Sequence, residues 1–437
     1  MTTPGPALPR PGSALVRTLP VVERRTISRS DDRRITFAGI GIAAGFVGLA
    51  ILALALPDAV RRGAWLSLHL ALAGAAATAI AAVLPFFTAA LSVAPPAGRP
   101  TRILAIGGIA GGALVVSGGV AAGVPAVAVG GGLAYLGGLA AVALAAFGPL
   151  RGALGPRRAL VTRAYAAAIG CVAAGVILST AFLAGWAPIL ERWATLKPAH
   201  AWLNTVGFLS VVVAATLVHL APTVAGARIQ PRATARVAIV GLVAGATGLA
   251  VGLGLLLDPL VRLAALTTVA GALALVGHGV AVQRDRGRWT TDPDWHRQSS
   301  WSLLLAPVWL AIGVGIVGAR FAAMGADPRA WDVAIVAPAL AMGWVGQVLI
   351  GSWTHLLPAI GPGDPVAHAR QRTILGIAAA GRLAGLNGGV AAATIGIAVD
   401  VPTLAAGGLL IATASVTAAL AVFVAAARIG LSALRAT

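Results

Sequence analysis

The feature that most constrains this chain is an apolar run of about 20 residues that recurs twelve times. The runs fall at 35–56, 65–92, 103–123, 127–148, 165–186, 201–226, 237–257, 261–282, 300–322, 333–360, 377–399 and 402–427. At 1.5 Å per residue each is long enough to cross the hydrocarbon core as a helix. With 58% hydrophobic and 10% charged residues and a mean hydropathy of +0.91, the chain is too apolar for a soluble globule of 437 residues. The expected fold is all-α: a polytopic membrane bundle of about twelve helices over 35–427. A disordered basic tail is expected over 1–34 and a short C-terminus over 428–437. The first run, about 22 residues long, is too long for the apolar region of a secretory signal.

A formal net charge of +19, from 32 basic and 13 acidic residues, invites a nucleic-acid reading that the placement of the charges removes. Counted over alternate connections, one side carries only Arg61, Arg62, Arg192, Lys197, Arg262, Arg320 and Arg329, and Arg382 lies inside the eleventh run. The remaining basic residues are on the other side, with both termini. The basicity is therefore an orientation signal: both termini are expected in the cytoplasm, the bilayer is the partner, and no nucleic acid is. Trp65, Trp186, Trp193, Trp202 and Trp331 fall near the outer ends, as an interfacial belt would place them. A single cysteine, Cys171, excludes a disulfide framework, a thiolate zinc site and covalent c-type haem attachment.

Asp and Glu are confined to the tail, the loops and helix ends, so carboxylate-based ion coupling has little support. Histidine differs. His69 and His200 come at the outer starts of spans two and six, whereas His219, His278 and His355 come one to two turns before the inner ends of spans six, eight and ten. His296 and His368 are assigned to cytoplasmic loops. Neutral imidazoles on facing helices can bind haem iron or copper; interfacial or interhelical hydrogen bonding is the alternative for each. Spans six and ten also repeat: Gly207 and Gly343 are each followed by an aromatic residue, then by His219 or His355, then by Pro222 or Pro358, without a gap. This pattern predicts rotational pseudosymmetry between the two spans.

The segments HLALAGA (69–75), HAWLNTVGF (200–208) and QVLIGSWTHLLP (347–358), on twelve spans, resemble the haem-copper oxidase catalytic-subunit family, including its nitric oxide reductase branch. They look most like bacterial relatives in which a similar bundle precedes a multicopper oxidase or copper nitrite reductase domain. The resemblance implies haem or copper as cofactor and a place in the bacterial cytoplasmic membrane. It also implies electron transfer, nitrogen-oxide handling or copper handling, alone or as partner of a separate redox or multicopper oxidase-type protein. His69 matches the family's haem ligand on helix two, and His200 its metal ligand on helix six. The rest of the pattern is missing. The span-six repeat puts Val336 where an outer histidine of span ten would stand, and span seven has no histidine, so no complete dinuclear centre is expected.

Arg382, on span eleven with Asn387, is read either as a snorkelling side chain or as a cofactor contact beside a haem propionate. The segment 283–298, with both charge signs and two tryptophans, is expected at the cytoplasmic interface. Two further classes stay open: a non-redox transporter or channel using histidines as substrate contacts, and a cofactor-free structural or assembly subunit. Half-to-half inverted repeats and broken helix pairs, which would favour a transporter, are not evident.

Overall fold

In the computed structural model, which describes residues 29–153, 159–286 and 292–436, the chain is a multi-pass helical membrane protein. No strand occurs among the described residues. The spans run Arg29–Ala53, Trp65–Ser92, Arg99–Ala121, Pro125–Gly152, Ala159–Leu183, Trp193–Ala225, Ala233–Leu255, Asp258–Asp285, Asp294–Met324 and Pro328–Ile360. Span eleven is Ala379–Ala398, and span twelve, Pro402–Ala436, continues as helix through most of the expected C-terminal tail. A linking helix, Pro365–Leu375, precedes span eleven and meets it at a bend of 48°. Span one starts at Arg29, earlier than the apolar run; the rest of the expected tail lies outside the described residues, as does 287–291 of the segment 283–298.

Glycine decides which helices are neighbours. In a bilayer, helices gain from van der Waals contact, which is closest where side chains are smallest. Gly108, Gly112 and Gly119 of span three lie against Gly138, Tyr135 and Ala128 of span four, so close that a Cβ on Gly112 would sit 2.6 Å from the Tyr135 backbone nitrogen. The same spacing recurs in span seven, where Gly241, Gly245 and Gly252 face Gly271, Thr268 and Val261 of span eight. It recurs again in span eleven, where Gly385, Gly389 and Gly396 face Ser415, Ala412 and Ala405 of span twelve. A second set ties the preceding pairs: Gly74 of span two packs on Phe46 of span one, Gly207 of span six on Cys171 of span five, and Gly343 of span ten on Trp309 of span nine.

The bundle is thus three successive four-helix repeats, and the equivalence of spans six and ten extends to span two. Each of these three spans has a π-helical segment at the matching place: Leu70–Ala76, Leu203–Ser210 and Pro338–Gly346. Such segments shift the side chains that follow around the helix axis and occur often at functional sites. The linking helix is found between spans ten and eleven; the corresponding connections after spans two and six are short and non-helical.

Asp32 and Arg102, placed by their sequence positions in the tail and a loop, are instead buried at the end of the bundle that carries both termini. Asp32 is 5% exposed and Arg102 not at all. The Arg102 guanidinium donates to the Asp32 carboxylate, to Thr36 Oγ1 (2.9 Å) and to the Ala82 carbonyl (2.7 Å), joining spans one, two and three. A buried charge requires this degree of pairing.

Candidate metal site near the N-terminal ends of spans two and six

His69 is on the last α-helical turn before the π segment of span two, and His200 three residues before that of span six. Their imidazoles are side by side, ring centroids 6.3 Å apart and planes within 10° of parallel. A carbonyl can only accept, so the contacts of 2.9 Å from His69 Nδ1 to the Trp65 carbonyl and 2.8 Å from His200 Nδ1 to the Gly175 carbonyl place a proton on each Nδ1. Nε2 is then the lone-pair nitrogen of both rings. Metal-binding histidines are commonly oriented by a backbone carbonyl on the other nitrogen in this way.

Neighbouring groups hold the pair. Asn204 donates to the His200 carbonyl (2.7 Å), and its amide occupies the space that a side chain at residue 175 would need, so Gly175 is what lets span five come this close. Trp65 stacks on His69 at 4.0 Å, Trp193 lies 6.2 Å from His200, and Phe182 stacks on Trp193 at 4.1 Å. The two imidazoles therefore sit within a row of five rings. The tryptophans expected as a membrane belt include two that touch this pair.

The other candidates are elsewhere. His219 is buried on span six, and His278 is buried on span eight with neither ring nitrogen hydrogen-bonded. His355 lies 6.5 Å from His296, which is not in a loop but in the first turns of span nine, where Nε2 donates to the Val224 carbonyl (2.7 Å) and Nδ1 faces Asp292 at 3.1 Å. The signal for that helix start was present in Pro293 and Asp294, a proline and an acidic residue at a helix N-terminus. Among the described residues, no three His, Cys, Asp or Glu side chains gather as a metal set. Arg382 does not approach the His69–His200 pair. It is 6% exposed and donates to the carbonyls of Leu375 (2.6 Å) and Ile377 (3.0 Å), closing the bend before span eleven. Asn387 accepts from Trp309 Nε1 at 2.7 Å. Val336, at the projected outer position of span ten, is a buried packing residue.

The chain matches no protein-family model and no curated protein. What fold and composition define is a polytopic α-helical membrane protein with a histidine pair at the end of the bundle opposite both termini.

Proposed function

We propose that this chain is a haem-copper-oxidase-like protein of the bacterial cytoplasmic membrane that binds a redox metal at His69 and His200, serving electron transfer or copper handling with a separate redox partner. The observation that carries this reading is the pairing of two neutral imidazoles from different spans, each with its Nδ1 on a carbonyl and its Nε2 available. With a metal about 2.0 Å from an imidazole nitrogen, two rings whose centroids are 6.3 Å apart are within reach of one ion. The all-nitrogen donor pair suits copper, and also haem iron. Copper is the reading carried forward, because Arg382, the candidate propionate contact, is engaged with carbonyls at the bend before span eleven.

Bound copper would supply one-electron exchange. The chain's own residues would hold it and shape its surroundings: the carbonyls of Trp65 and Gly175 fix the ring tautomers, and Trp65 and Trp193 shield the pair from water. The bias of arginine towards the end that carries the termini puts that end in the cytoplasm and the pair at the opposite face.

The test is copper and iron analysis of the purified full chain, with a reduced-minus-oxidised spectrum. About one copper per chain is expected, lost in His69→Ala and His200→Ala and retained in His355→Ala. Iron with a Soret band would replace copper by haem. The absence of both metals, or a metal content unchanged in both variants, would overturn the proposal, and uptake lost in His69→Ala without a metal effect would favour a transporter.

A further inference from the structure

The linking helix Pro365–Leu375 interrupts the threefold repeat, and it is fastened at three points. Asp364 caps its first turn by accepting from Ala367 N (2.7 Å). Gln371, fully buried, donates from its amide to the carbonyls of Pro362 and Ala426, both at 3.1 Å, which fixes the helix against span twelve. Arg382 holds the carbonyls at its far end. Gly430 lies so close that a Cβ there would fall 2.0 Å from the Pro362 carbonyl oxygen.

This fixed crossing leaves a cavity of about 320 Å³ between the linking helix and the last turns of span twelve, lined by Asp364, Val366, Arg370, Arg428 and Ser432 among others. The carboxylate of Asp364 is engaged in its cap, and Ser432 Oγ donates to the Arg428 carbonyl (2.8 Å). Among the described residues, Arg370 and Arg428 have no hydrogen-bond or ion-pair partner. The lining also has an apolar part: Val366, 61% exposed, and Ile429, which is half-buried.

Depth indicates the occupant. At 1.5 Å per residue, Arg428 is about 39 Å along the helix from Pro402, past a hydrocarbon core of about 30 Å and into the headgroup layer. Two guanidiniums on rigid supports at that depth, beside the apolar Val366 and Ile429, are suited to a phosphate group that carries acyl chains. We propose that this cavity is a binding site for the phosphate headgroup of an anionic phospholipid, held between Arg370 and Arg428. The site is independent of the metal reading.

The test uses the delipidated full chain in detergent and measures retention of phosphatidylglycerol by native mass spectrometry, with phosphatidylcholine and inorganic phosphate as comparison probes. Phosphatidylglycerol should bind in preference to both. Arg370→Gln and Arg428→Gln should each weaken it about fivefold, while Arg236→Gln, an equal loss of charge on an exposed residue of span seven, should not. Equal weakening by all three variants would show attraction to net charge alone and overturn the site. So would equal binding of phosphatidylcholine, or displacement of the lipid by equimolar inorganic phosphate. Should a variant not purify, the wild-type chain suffices: a Tm raised by phosphatidylglycerol no more than by phosphatidylcholine would also overturn it.

Discussion

The imidazoles of His69 and His200 lie 6.3 Å apart and nearly parallel, although one comes from span two and the other from span six. Neither histidine is oriented by the other. Each is set by a backbone carbonyl, that of Trp65 in its own span for His69 and that of Gly175 in span five for His200. The second of these contacts depends on how closely spans five and six approach.

Gly175→Ala tests that dependence. A Cβ at this position would lie 2.5 Å from Asn204 Nδ2, so Asn204 and the carbonyl that orients His200 must shift. Loss of such a supporting contact typically weakens a metal site by about 10–100-fold. Copper titration should show a loss in that range with the fold retained, as judged by circular dichroism. Unchanged affinity would mean that the Gly175 carbonyl does not tune the site.

Arg102→Ala should destabilise the protein by about 3–5 kcal/mol, because it leaves Asp32 buried and unpaired. Replacing both members, as Asp32→Leu with Arg102→Met, should recover most of the loss. Denaturant titration in detergent micelles measures both variants. A single variant as stable as wild type would show that the pair is not desolvated in the membrane.

The glycine faces can be tested against a neighbouring control. Gly112→Leu places a side chain into the backbone of Tyr135, whereas Gly111→Leu points into open space. Overpacking typically costs about 1–3 kcal/mol, and more where the obstacle is backbone. The first variant should lower Tm or fail to accumulate in the membrane, and the second should behave as wild type. Because the repeats are equivalent, Gly245→Leu and Gly389→Leu should have effects similar to that of Gly112→Leu.

Arg382→Ala removes the donors that close the bend between the linking helix and span eleven. Charge-assisted hydrogen bonds of this kind contribute about 1.5–3 kcal/mol. Hydrogen exchange across 365–378 should accelerate in this variant, with no change in the metal content of the His69–His200 site. A loss of metal would instead connect Arg382 to the cofactor.

Much of the architecture was legible in local sequence. The runs that mark the spans and the depth of each histidine are read along one helix at a time, because a helix in lipid satisfies its backbone hydrogen bonds internally. The match between spans six and ten was visible in Gly207, His219, Gly343 and His355. The wider threefold pattern was also present, in Gly108, Gly112 and Gly119 and their two sets of counterparts, but it is diluted among 56 glycines whose facing partners are distant in sequence. Asp32, Arg102 and His296 were misplaced for a related reason: each is a polar residue at a helix end, where hydropathy cannot tell a buried partner from solvent.

The sequence by itself determined that the chain crosses a membrane about twelve times and which histidines lie near which end. Tertiary structure decided which of those histidines meet. His69 stands beside His200, while His355 stands beside His296 and Arg382 closes a bend instead of reaching a cofactor. The physical reason is that insertion depends on the transfer of each segment into hydrocarbon, a sum over local residues. The choice of neighbour depends on close contact between small-residue faces, which no single segment contains.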